Sequence, residues 1–115
     1  MTKQITVNEL FKIQDVLDEL YTQNLELSVG TALKLFRLKK TIDESCKYVI
    51  ERLYATIPGL KEDGYKINET ESIIYSGILS SIIDIDNQGL TEDELSECKK
   101  VHVKIQSAEY LELLF

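Results

Sequence analysis

The feature that most constrains this chain is an unbroken apolar stripe between Val29 and Ile57. Ala32, Leu35, Leu38, Ile42, Cys46, Val49, Leu53 and Ile57 recur every three or four positions. At roughly 3.6 residues per turn, that spacing holds one face of a helix for about eight turns. Lys34, Arg37, Lys40, Asp43, Glu44, Lys47 and Glu51 occupy the opposite face. Val29, Leu33, Phe36, Ile50 and Tyr54 widen the stripe, which implies more than one packing neighbour. Gly30 weakens a helix interior by roughly 1 kcal/mol against Ala, so firm helix is expected over 31–57. Pro58-Gly59 then ends it, because the residue before a proline avoids the helical region.

The remaining elements read as material packed round this rod. Thr6 and Glu9 have capping-box spacing and open a helix over about 6–21, with Leu10, Ile13, Val16, Leu17 and Leu20 on one side. The short Thr22-Gln23-Asn24 break favours an antiparallel return along the rod. Leu25 to Val29 alternates with period two and is a possible strand. Asn68 with Glu71 opens a helix over about 69–83 that has almost no charge after Glu71 and therefore reads as buried on most sides. Thr91 with Glu94 opens another over about 91–100, and Ser107 a last one over about 107–115. Val101 to Ile105 alternates and reads as a short strand, its partner expected at 25–29 or around Ile83–Ile85. The expected fold is one mainly α domain, a helical bundle around the central helix with one or two short strands.

Charge narrows the function classes. The 115 residues hold 13 basic and 20 acidic side chains, a net charge of −7. That balance disfavours nucleic-acid binding, which needs clustered cations against phosphates. The charge is uneven: −3 over residues 1–27, +3 over 28–57 and −7 over 58–115. Internal complementation between the basic rod and its acidic flanks is the simplest reading. Two separated cysteines and one histidine leave no zinc ligand set. Cys46 lies on the apolar stripe and reads as a core residue. Met1-Thr2-Lys3-Gln4 leads into no apolar run of the signal-peptide kind, and the most apolar window, Ile73–Ile85, is too short to cross a bilayer. A cytoplasmic protein without cofactor, metal or membrane contact is expected.

Three constellations could carry function. Asp84-Ile85-Asp86-Asn87-Gln88-Gly89 matches the start of a calcium loop, but the bidentate twelfth position is Leu95, and the capping-box reading accounts for Thr91 and Glu94. Residues 84–97 carry six acids and no base: Asp84, Asp86, Glu92, Asp93, Glu94 and Glu97. They could present a negative face to a basic protein groove, or simply be solvated. Lys34, Arg37 and Lys40 could hold a small anion or nucleotide, or pair internally, as Lys40 with Glu44 and Asp43 with Lys47. His102 has no partner placed by sequence to make it a catalytic base, and no catalytic motif is present. The chain reads as non-enzymatic.

The order of parts resembles the small bacteriophage proteins grouped as domain-of-unknown-function family 1617. The likeness lies in Val7-Asn8-Glu9-Leu10, in Leu25 to Val29 running into Leu33-Lys34-Leu35, in Glu62-Asp63-Gly64 and in Leu90 to Leu95. The resemblance implies a phage or prophage origin in a Gram-positive host, and it brings no catalytic residues. The expected function is a phage accessory protein that binds a protein of its bacterial host, such as a host machine or a defence system. The alternatives are a virion or assembly component forming a homo-oligomer, and a small-anion binder using Lys34, Arg37 and Lys40.

Overall fold

The computed structural model describes residues 2–21, 27–91, 93–94 and 113. In chain order these form strand β1 (Thr2–Thr6), helix α1 (Val7–Tyr21), helix α2 (Val29–Thr56), a short 3-10 turn (Pro58–Lys61), helix α3 (Glu69–Leu79) and strand β2 (Ile82–Asp86). The protein is mainly helical, with a two-stranded antiparallel sheet.

Helix α2 is 28 residues long, about 42 Å at roughly 1.5 Å per residue. Its stripe is buried at Leu35, Leu38, Ile42, Cys46, Val49 and Leu53, with Ile57 closing it. Against it lie Leu10, Ile13, Val16, Leu17 and Leu20 of α1, all fully enclosed. Each such side chain contributes about 1.5–3 kcal/mol relative to exposure. Two polar bridges align the pair. Asp43 of α2 accepts a hydrogen bond from Gln14 Nε2 at 3.1 Å, and Lys39 reaches Asp18 at 3.1 Å. As residue numbers rise on α1 they fall on α2, so the helices are antiparallel, as the short connection implies. Lys39 also holds Asp43 at 2.6 Å. The Asp43 bond raises the Lys39 pKa above its ordinary value, against an opposing push from burial. Burial pushes the Asp43 carboxyl up, but hydrogen bonds from Lys39 and Gln14 outweigh it and leave the group below its usual range.

Capping proceeds as the sequence indicates. Thr6 N–H donates to Glu9 Oε1 at 2.8 Å, and Glu9 N–H donates to Thr6 Oγ1 at 3.1 Å. Asn68 and Glu71 make the reciprocal pair at α3. Helix α2 begins earlier than expected, at Val29, because Ser28 serves as N-cap and accepts from Thr31 N–H. Gly30 therefore lies inside the first turn rather than before it.

Several expectations are corrected. The helix over 69–83 stops at Leu79, and Ile82–Asp86 is a strand. The Ser80 and Ser81 hydroxyls bond back to the carbonyls of Ser76 and Gly77, which closes the helix and frees a β-branched run for pairing. Its partner is β1, in the register Thr2↔Asp86, Gln4↔Asp84 and Thr6↔Ile82. The strand Thr2–Thr6 gives almost no sequence signal, since Ile5 is its only apolar residue. Helix α3 is not enclosed: none of its residues is buried, although Tyr75, Ile78 and Leu79 pack against the core. Most residues thought to widen the α2 stripe stay outside, with Val29, Leu33 and Phe36 exposed by 77%, 51% and 57% and Ile50 also exposed, while Tyr54 is half-buried. Ala32 is exposed too, and Thr31 takes the inward position. The possible strand over 25–29 is not formed in its described part, where Leu27 and Ser28 are irregular and Val29 is helical. The helix expected over 91–100 is described only at its start, and the strand over 101–105 and nearly all of the helix over 107–115 lie outside the described residues.

Candidate functional site

The acidic segment folds down onto the long helix. Strand β2 alternates, turning Ile83 and Ile85 toward the core and Ile82, Asp84 and Asp86 outward. A tight turn follows, in which Gln88 and Gly89 have φ of 59° and 74° and Leu90 N–H donates to Asn87 O at 3.2 Å. Two left-handed central residues mark a type I′ turn. Short polar side chains fix it: Asp86 Oδ1 accepts from Gln88 N–H at 2.9 Å, and Asn87 Oδ1 from Gly89 N–H at 3.1 Å. The first of these bonds holds the Asp86 carboxyl below its ordinary range. Gln88 Nε2 reaches Thr41 Oγ1 of α2 at 3.5 Å.

The clamp on α2 is built from two of the residues singled out as candidate binding groups. Lys34 Nζ lies 2.8 Å from Glu94 Oε1 and donates to Gly89 O at 3.3 Å. The buried Thr31 hydroxyl donates to Glu94 Oε2 at 3.2 Å. Glu94 also completes the expected capping box, accepting from Thr91 N–H while its own N–H donates to Thr91 Oγ1. The Lys34 bond, seconded by Thr91 and Thr31, lowers the Glu94 pKa against the upward push of burial. Lys34 and Glu94 therefore spend their charges on each other. Internal complementation between the basic helix and the acidic segment is real at this point. The helical pairs Lys40–Glu44 and Asp43–Lys47 are not the ones made; Asp43 pairs backward with Lys39.

Asp84, Asp86 and Asp93 are exposed on the described part of this segment, Asp86 being held by the Gln88 N–H. Glu92 and Glu97 lie outside the described residues. On the opposite charge set, Arg37 and Lys40 are exposed. Lys40 lines a shallow cleft of about 400 Å³ with Phe36 and Lys39, but Asp43 and Glu44 share its wall. An anion there would meet two carboxylates.

A second depression lies where β2 crosses α2. It is an open hollow of about 300 Å³, lined by Thr41, Glu44, Ser45, Tyr48 and Val49 of α2 and by Ile83, Asp84 and Ile85 of β2. Ser45 and Tyr48 are residues that sequence reasoning passed over, and Glu44 entered it only as an outer-face residue pairing with Lys40. Their signal was faint but present: Thr41, Ser45 and Tyr48 recur at helical spacing beside the buried stripe and form a ridge of intermediate polarity. Among the described residues neither the Glu44 nor the Asp84 carboxylate has a hydrogen-bond or ion-pair partner.

Cys46 is fully inside and its thiol is pushed up to about 12, chiefly by burial, which makes it inert at neutral pH. No helix among the described residues is long and apolar enough to cross a membrane. No family model, characterised protein or solved structure matches the chain.

Proposed function

We propose that this is a non-enzymatic, cytoplasmic, phage-encoded accessory protein that acts by binding a protein of its bacterial host, such as a host machine or a defence system. The observation that carries the protein-binding part is the row Val29, Leu33 and Phe36 on the outside of α2. These residues follow at i, i+4 and i+7, large and uncovered. Apolar side chains aligned at helical spacing on a solvent face are the form a helix-docking surface takes. The phage origin rests on the resemblance carried by Val7 to Leu10, by the segment entering α2 and by Leu90 to Leu95.

A second reading has its own observation. Helix α3 presents Ile73, 70% exposed, beside Ser76, Gly77 and Ser80, with no charge on the helix after Glu71. Two copies could meet there without bringing like charges together, as an assembly component would. Affinity capture of the tagged protein from a bacterial host, with light scattering on the same material, separates the two. A stoichiometric host protein on a monomeric bait is the expected result. A closed oligomer that captures nothing else would replace the host-binding reading with the assembly one.

A further inference from the structure

We infer that the outer edge of β2 is a strand-addition site, and that the chain's own residues 101–105 occupy it as a third strand with alternate side chains seated in the hollow on α2. That segment lies outside the described residues, and the site is separate from the outer α2 row that carries the protein-binding reading.

Backbone geometry fixes which side of β2 is open. Val7 N–H donates to Ser81 O at 3.0 Å, one step beyond the pair Thr6↔Ile82 in the same register. Hydrogen-bonded and non-hydrogen-bonded pairs alternate along an antiparallel ladder. Ile83 and Ile85 therefore bond to β1, and the N–H and C=O groups of Ile82 and Asp84 point away from it. Thr6 N–H, turned outward by the same rule, is taken by Glu9 instead. Among the described residues the sheet has two strands, and the Asp84 edge has no backbone partner. Two strands alone are marginal, whereas a third on a hydrophobic face makes a stable sheet. The hollow of about 300 Å³ lies along this edge: β2 and α2 line it and no residue of β1 does. A strand laid against Asp84 seats its inward side chains there, over Val49, Ile83 and Ile85.

Residues 101–105 fit that site. Val101, Val103 and Ile105 alternate with His102 and Lys104, which gives an apolar side for the hollow and a polar side for solvent. Asp84 and Asp86 lie on the outer face of β2, and directly opposed residues share a face. The polar side thus sets Lys104 opposite Asp84 and His102 opposite Asp86, while Val103 meets Ile85 and Ile105 meets Ile83. Reach selects the direction. Gln88 is held at Thr41 and Glu94 at Thr31 and Lys34, so the chain leaves the described part nearer the Asp86 end of β2. Lys34 and Thr41 are about 10 Å apart at roughly 1.5 Å per helical residue, and residues 95–100 cover that whether helical or extended. Entry at the Asp86 end makes the pairing antiparallel. The other partner expected for this segment, residues 25–29, is not a strand in its described part.

The test is NMR on the full-length protein, by cross-strand NOEs and amide hydrogen exchange. The register predicts Hα–Hα contacts of Ile85 with Val103 and of Ile83 with Ile105, the non-hydrogen-bonded pairs. Gln4 N–H faces the opposite edge of the sheet and serves as the internal reference. Corrected for intrinsic rates, the Asp84 amide should exchange at least about tenfold more slowly than Gln4. Val103→Glu, which puts a charge into the hollow, should abolish that difference while the α1 amides stay protected. Lys104→Asp sets like charges opposite each other and should lower Tm by about 2–5 °C. The swap D84K/K104D should recover most of that loss, which two independent surface effects would not do. An Asp84 amide as open as Gln4 would overturn the inference, leaving the edge for a strand from another protein. Protection at Gln4 in place of Asp84 would overturn it too, since the added strand would then lie on β1. So would Asp84 protection that grows with protein concentration, because a second copy would be the occupant, or protection that survives Val103→Glu unchanged.

Discussion

Helices α1 and α3 are made from similar apolar residues and meet opposite fates. In α1 the residues Leu10, Ile13, Val16, Leu17 and Leu20 are all inside, and charged residues such as Lys12, Asp15 and Asp18 lie outside. In α3 no residue is buried, and Ile73 and Ile74 face out. The difference is the polar face. A helix with charge on one side has a single way to sit on a core, whereas α3, lacking that contrast, packs on the core through the partly buried Tyr75, Ile78 and Leu79. Apolar content alone is therefore no guide to burial. What α3 and the outer side of α2 leave uncovered is surface available for binding.

The sharpest way to break this comparison is paired truncation. Leu17→Ala should lower unfolding free energy by about 2–5 kcal/mol, because it opens a cavity in a closed core. Ile73→Ala should change it by no more than about 0.5 kcal/mol in the same urea titration. Equal costs would mean that α3 is packed in solution. A finer test is Gly77→Ala. Nothing lies within 4 Å of the added Cβ, so removing an exposed mid-helix glycine should stabilise the fold by up to about 1 kcal/mol. Destabilisation that grows with protein concentration would instead place a second copy against Gly77.

The same contrast governs what the sequence could disclose. The three capping boxes were legible because each is settled within four residues, as Thr6 with Glu9 shows. The buried stripe was legible because charge marks its other side. The sheet was not, since β1 matters only through Ile82–Asp86, a partner at the far end of the chain, and Thr2, Lys3 and Gln4 carry no apolar signal. The Lys34–Glu94 clamp was legible as a tendency, in the opposite charges of two segments, but not as a pair. The depression beside β2 left only the Thr41, Ser45 and Tyr48 ridge as a trace, because its other wall comes from a strand that reaches α2 only in the fold.

The smallest effect concerns that clamp. The Glu94 carboxyl is held below its ordinary range, so its contribution to stability is present in full above the unfolded-state pKa, about 4.3. It is lost as pH falls through the lower folded-state value. Glu94→Gln should therefore be slightly less stable than the parent at pH 7, and the gap should close below about pH 4 in thermal melts. A gap that widened on acidification would mean that the Lys34 pairing does not hold the segment.

The most direct test of the protein-binding account is host capture repeated with Phe36→Ser beside the parent. Phe36 is exposed and outside the core, so the variant should melt with the parent yet lose the captured host protein. A Phe36→Ser protein that melts with the parent and captures the partner at full stoichiometry would contradict the account.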